Sequence, residues 1–355
     1  MFPTFFRNKH VGTENVTGGL RIRTTVEETF FSAEVEVHVK LPSLEIASVG
    51  GQMRRGIVPQ CYGALSILDK VVGQRVYEGL TRRIDDLIGR SDGCTHMTNL
   101  VLESCHAAAL GFRQVKMAEA EAQGLSNEDF YAEWVKTRPK ELINSCTAFM
   151  EDSPLMTRLR TQPHPTPPRM RPFPEIQAGV LRFSRNKLLK VSRSGKDRLF
   201  VRGILEDNAH SMLVELTVQI PQMEILAVRG EMSRAPNDDI CACAVDRLQR
   251  AVGMRIQKGL TATVDEQIGR QGCPHLGNLL LEGCHAAIQG MLGVQLEESH
   301  LNDDSDYDAV RHRWAQSLPF LPHSCLAYQD GGPLVGGRAA QRKPDGATAR
   351  GSSEG

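Results

Sequence analysis

The sequence has no surplus of charge: 42 Lys and Arg stand against 42 Asp and Glu. A balanced chain exerts no overall pull on nucleic acid or on an anionic membrane, so neither is an expected partner, and a protein partner is left open. It also has no apolar run near the roughly 20 residues that a membrane span needs. The opening residues, MFPTFFRNKHVG, carry aromatics but no continuous apolar stretch, so no secretory leader is expected and the chain is assigned to the cytoplasm. Several catalytic signatures are missing too. There is no Walker loop, no G-x-S-x-G, no H-E-x-x-H and no dinucleotide fingerprint after a strand, which removes the common phosphate cradles, the serine elbow and the helical zinc protease. Residues 1–60 and 183–240 contain no cysteine.

What is present is ordinary in bulk and unusual in pattern. The 355 residues are 41% hydrophobic and 24% charged, which suits a soluble chain of two or three domains. Nine cysteines remain for the rest of the chain. In a reducing compartment, cysteines that recur beside histidine point to metal binding or catalysis rather than to disulfides.

The pattern is a duplication. GCTHMTNLVLESCHAA (93–108) returns as GCPHLGNLLLEGCHAA (272–287). VHVKLPSLEI (37–46) meets LTVQIPQMEI (216–225), and VVGQRVYEGLTRRIDDLIGR (71–90) meets AVGMRIQKGLTATVDEQIGR (251–270). SCTAFMEDSPL (145–155) meets SCLAYQDGGPL (324–334), and an RNK triplet at 7–9 meets one at 185–187. The period of 178 to 180 positions is far too long for a solenoid, whose repeats run about 20–50 residues. The expected organisation is a first repeat domain (1–155), a Pro-rich linker (156–182), a second repeat domain (183–335) and a disordered tail (336–355).

Within each repeat the hydrophobic period changes once. FSAEVEVHVKL alternates apolar and polar residues, as a half-buried antiparallel strand does, and is flanked by strand-like LRIRTTVEE and LEIASV. Ala64, Leu65, Leu68, Val71 and Val72 then fall at helical spacing up to Gly73. A second helix carries Val76, Leu80, Ile84, Leu87 and Ile88, and a third opens at the Cys-x-His. Strands first and helices after predict an α+β fold: two tandem homologous domains, each a small antiparallel sheet with helices packed on one face.

The chemistry concentrates where helices begin. Pro274 suits the first helical position, which puts Cys273 at the N-cap and His275 in the first turn, with Cys94 and His96 placed alike. A thiol there feels the positive helix end, which favours thiolate, the nucleophilic and metal-binding form. Cys61 and Cys241 match across the repeat and each precede a helical run, so the expected clusters are Cys61, Cys94 and His96, and Cys241, Cys273 and His275, with Cys243 added in the second. Tetrahedral zinc wants four ligands. The fourth is sought among Glu27, Glu28, Glu206 and Asp207, or Cys146 and Cys325. Cys105 and His106 are read as packing: eleven residues of helix put Cys105 about 16 Å from Cys94. Cys146 and Cys325 also read as core residues.

The Cys-Thr-His-Leu-type run, the helix before it and the late SC.A resemble an uncharacterised bacterial family known as a domain of unknown function, which implies no activity. More remotely, strands followed by a helix-opening cysteine and a late helix-opening His/Cys pair resemble the NifU/IscU-type iron–sulfur scaffold. That resemblance implies metal work at Cys61, Cys94 and His96 and at Cys241, Cys273 and His275. The scaffold's first-strand cysteine has no counterpart here, so zinc is the expected ion and an iron–sulfur cluster the lesser alternative. The expected function is a non-catalytic, metal-binding tandem protein. The alternatives are an enzyme with Cys94 or Cys273 as nucleophile and a histidine assistant, and a metal-free structural binding module.

Overall fold

A computed structural model describes residues 3–77, 79–161, 179–299, 304–318 and 321–329. Most of the expected linker (162–178) and the whole expected tail (336–355) lie outside them. The first residues of the expected linker, 156–161, belong to a helix over Pro154–Thr161.

Each repeat opens with four strands: β1 (Phe5–Val16), β2 (Gly19–Glu28), β3 (Ser32–Lys40) and β4 (Glu45–Arg55), then β5 (Leu181–Arg193), β6 (Arg198–Asp207), β7 (Ser211–Gln219) and β8 (Glu224–Arg234). In β3 the alternation is direct: Ala33, Val35, Val37 and Val39 are buried. Burying each Val there contributes about 1.5–3 kcal/mol. The described helices are α1 (Leu80–Ile88), α2 (Thr95–Glu121), α3 (Asn127–Thr137), α4 (Pro139–Leu142) and α5 (Pro154–Thr161), then α6 (Asp238–Cys241), α7 (Leu260–Val264), α8 (Pro274–Glu298) and α9 (Asp304–Ser317). The first expected helix is a 3₁₀ helix over Pro59–Val71, matched by one over Ala242–Ala251.

The repeats do not build separate sheets. All eight strands join one antiparallel sheet in the order β4-β3-β2-β1-β5-β6-β7-β8. The join is β1 against β5, with Lys9 directly opposite its own counterpart Lys187. An approximate two-fold axis therefore passes between these two lysines. Neither β1 nor β5 shows an alternating apolar pattern, because the inward positions of β1 include Arg7, Lys9, Thr13 and Asn15.

The two long helices lie across the sheet, and each reaches the other repeat: α2 packs on β1, β2 and β3 and also on β5, while α8 packs on β5, β6 and β7 and also on β1. Glycines let them come close. A Cβ at Gly111 would stand 2.5 Å from Thr13 Cγ2, and one at the matching Gly290 would stand 2.5 Å from Val191 Cγ1. The SC.A segments are exchanged as well. Thr147 N donates to Gly272 O at 2.8 Å, and Leu326 N donates to Gly93 O at 2.8 Å. Each repeat thus completes the turn that opens the other repeat's long helix.

Candidate functional site

Two lysines facing each other across strands repel, and their burial raises the cost. The long helices supply the compensation. Glu282 of α8 accepts from Lys9 Nζ at 2.5 Å and from Arg7 Nη1 at 3.1 Å. Glu103 of α2 accepts from Lys187 Nζ at 2.7 Å and lies 3.8 Å from Arg185. The exchange is reciprocal: each repeat's glutamate neutralises the other repeat's basic strand. Despite burial, the cations Lys187, Lys9 and Arg185 hold Glu103 down at about 2.

From this centre the network runs outward to both helix starts, and there the repeats diverge. In the first, Arg7 pairs with Glu28 at the end of β2, and Glu28 Oε1 lies 3.1 Å from His96 Nε2. Phe31 stacks on the His96 ring at 4.2 Å between centroids. Burial opposes charge on these groups, yet the alternation of signs overrides it. Arg7 and His96 lower Glu28 to about 2, and Glu28 with Cys94 raises His96 to about 9. Cys94, the N-cap of α2, is buried, but the hydrogen bond and charge of His96 pull its thiol below the ordinary range. In the first repeat, thiol and imidazole therefore each shift towards the charged form.

In the second repeat an aspartate replaces the glutamate and a histidine replaces the phenylalanine. Asp207 is one methylene shorter than Glu28. Its Oδ2 takes Arg185 (2.9 Å from Nε, 2.7 Å from Nη2), while Oδ1 accepts from Ala209 N at 2.8 Å and His210 N at 2.7 Å and lies 3.0 Å from His210 Nδ1. Its partner is thus His210 in the β6–β7 turn. Burial, and after it the charge of Arg185, push His275 well below its ordinary value, so the ring is neutral. Its centroid lies 4.0 Å from that of His210. Cys273, the N-cap of α8, has Sγ 3.9 Å from His275 Nδ1, and burial pushes its thiol up to about 12. Helix-start geometry was expected to favour thiolate in both repeats. Identical N-cap positions give opposite results, because a charged imidazole outweighs burial only at Cys94.

A cavity of about 250 Å³ opens onto the second of these helix starts. The second repeat contributes His210, Cys241, Cys273 and His275 to its wall. The first repeat contributes Leu110 and Arg113 from α2, Tyr131 from α3, and Cys146 and Phe149 from the exchanged segment. The site is therefore built by both repeats.

Among the described residues, the Asp, Glu, His and Cys ligand atoms that gather in threes within 4.8 Å belong to Asp207, His210 and His275. Cys61, Cys94 and His96 do not form such a group. Cys61 is buried and its thiol is raised by that burial. Of the second expected set, His275 is in the group and Cys273 stands beside it. Cys241 lines the cavity, while Cys243 is exposed with its thiol donating to Ile240 O at 3.0 Å. Cys105 and Cys284 are buried packing residues, both with thiols raised by burial to about 12. His210, Arg113, Glu103, Glu282 and the basic residues of β1 and β5 were not singled out from the sequence. Asp207 was, as a fourth-ligand candidate.

The divergence has a spectroscopic consequence. A lowered thiol pKa means a larger thiolate fraction at any given pH, so thiolate absorbance near 240 nm should develop in the first repeat at a pH below the ordinary thiol range. Cys94→Ser should remove that early step. His96→Phe should move it upward, since burial then acts unopposed. An unchanged early step in Cys94→Ser would place the low-pKa thiol elsewhere.

A family model described as "Protein of unknown function (DUF2889)" matches residues 9–110 and again 195–289. The two matches take in both helix starts and both network glutamates. No curated protein and no solved structure matches the chain.

Proposed function

The chain belongs to this family of unknown function, and on the site's geometry we propose that it binds one zinc ion, in the second repeat alone, at the base of the shared cavity. The observation that carries this reading is the convergence of Asp207, His210 and His275 within 4.8 Å on a cavity wall, with His275 neutral. Neutral imidazole is the ligating form.

The residues divide by what they are free to do. Both Asp207 oxygens are already engaged by Arg185, two backbone N–H groups and His210 Nδ1. Asp207 therefore orients His210 and leaves its Nε2 to bind, the carboxylate–histidine arrangement common behind metal ligands. His210 and His275 supply two nitrogens. Cys273, whose Sγ lies 3.9 Å from His275 Nδ1, would supply a sulfur once its side chain turns towards the pair, since a bound cation deprotonates a nearby thiol outright. Two imidazoles and one thiolate suit zinc by ligand type and leave a fourth position towards the cavity. A cluster scaffold wants more thiolate than this set supplies. In the first repeat, Phe31 stands where His210 does and His96 is protonated, so that half is a structural partner that walls the site.

Cobalt(II) reports both geometry and sulfur ligation. Titrating the metal-free chain with cobalt should give visible bands of tetrahedral intensity and a near-ultraviolet sulfur-to-metal band. Cys273→Ser should lose the ultraviolet band and keep the visible ones. Visible bands of octahedral weakness, or no change in absorbance at all, would rule the proposal out.

A further inference from the structure

We propose that the cavity beside this site takes a small organic acid, an aromatic or branched aliphatic monocarboxylate whose carboxylate pairs with Arg113. The inference rests on the shared cavity being the working site, as proposed above, but not on the metal.

Arg113 projects from α2 onto the cavity wall. Its Nε is shielded from solvent and has no hydrogen-bond partner. Among the described residues the guanidinium forms neither an ion pair nor a hydrogen bond. A half-buried cation with a desolvated, unpaired donor is costly, and a bound anion removes that cost. Packing does not require arginine at this point of the helix: the matching residue of α8 is Leu292, which is buried.

The rest of the wall indicates what the anion is attached to. Leu110, Tyr131, Phe149 and Met232 present apolar surface. The acidic residue on the wall, Glu141, is already committed: its oxygens accept from Trp134 Nε1 at 3.1 Å and from Arg138 Nη1 at 2.8 Å. The unpaired charge on this wall is thus positive and faces an apolar space. Water alone satisfies such a lining poorly. A planar carboxylate on an apolar body satisfies both parts, since a guanidinium pairs with it through two parallel hydrogen bonds. A cavity of about 250 Å³ equals roughly eight waters at about 30 Å³ each, so the body is the size of one ring or a short branched chain.

Calorimetric titration of the full chain with benzoate, phenylacetate and isovalerate, each with and without zinc, tests the proposal. At least one acid should bind at a single site, and benzamide, the neutral analogue of benzoate, should bind at least about tenfold more weakly. Arg113→Leu, which installs the residue already accommodated at position 292, should lose about tenfold or more in acid affinity while keeping its zinc content and melting temperature. Arg113→Lys should fall between the two. No binding of any of the three acids, equal binding of benzamide, or undiminished binding in Arg113→Leu would each overturn it. Because zinc content is read separately, absence of acid binding by the unaltered chain while it holds zinc refutes this inference alone. Arg113-dependent acid binding by a chain that takes up no zinc refutes the metal reading alone.

Discussion

Replacing Glu282 by alanine should lower the unfolding free energy by about 3–5 kcal/mol, a large share of the roughly 5–15 kcal/mol that holds a typical domain. The reason is what it leaves behind. Lys9 loses its hydrogen-bonded carboxylate and Arg7 loses one of two, both on buried side chains and with Lys187 still facing Lys9 across the strands. Glu103→Ala should cost less, because Lys187 loses Glu103 but keeps Asn278 Oδ1 at 2.7 Å and Glu282 at 3.7 Å. Asp86→Ala, which removes one of the two carboxylates paired with the exposed Arg90, should change stability by less than about 1 kcal/mol. Urea unfolding curves of the three variants measure this. A Glu282→Ala curve within 1 kcal/mol of the parent would mean that the buried charges find other partners. The same network makes residues 1–161 a poor independent unit. Cut away from the second repeat, β1 becomes an open edge with two inward-pointing cations lacking their glutamate.

His210→Phe should weaken zinc binding by at least about 100-fold, more than the 10–100-fold loss typical of an orienting residue. The substitution writes into the second repeat what the first already carries at Phe31. It removes a ligand of the proposed site and leaves Asp207 with no imidazole to orient. The ring also fits, since Phe31 stacks on His96 as His210 lies against His275. Zinc affinity is read by competition with a chromogenic chelator. Cys243→Ser should leave it unchanged, because that thiol is exposed and turned towards the backbone of Ile240. A His210→Phe chain that competes as well as the parent would show that His210 is not a ligand.

The duplication, the strands β2–β4, the long helices and the placement of Cys94 and Cys273 at helix N-caps were all legible, because each leaves a periodic or positional mark in the sequence. The strand that joins the halves left none. Period two is visible only when inward residues are apolar, and β1 turns Arg7 and Lys9 inward. The RNK triplets announced themselves only as a repeat. The fusion of two sheets into one was hidden with them, since it is made by β1 and β5. The site was half legible for a related reason. Matching the repeats finds what they share, Cys-x-His, whereas the proposed site lies where they differ. Aligning TFFSAE (29–34) with NAHSML (208–213) puts Phe31 against His210, and that mismatch, together with Glu28 against Asp207, was the available signal. That Arg113 of one repeat would wall the site of the other could not be read from spacing, because it follows from α2 crossing the seam.

The most direct test of the account is the number of zinc ions held per chain and where they sit, read by anomalous scattering at the zinc edge from crystals of the zinc-loaded protein. The account predicts one peak per chain, between the rings of His210 and His275 and beside Cys273 Sγ. A second peak at Cys61, Cys94 and His96, or a peak there alone, would contradict it.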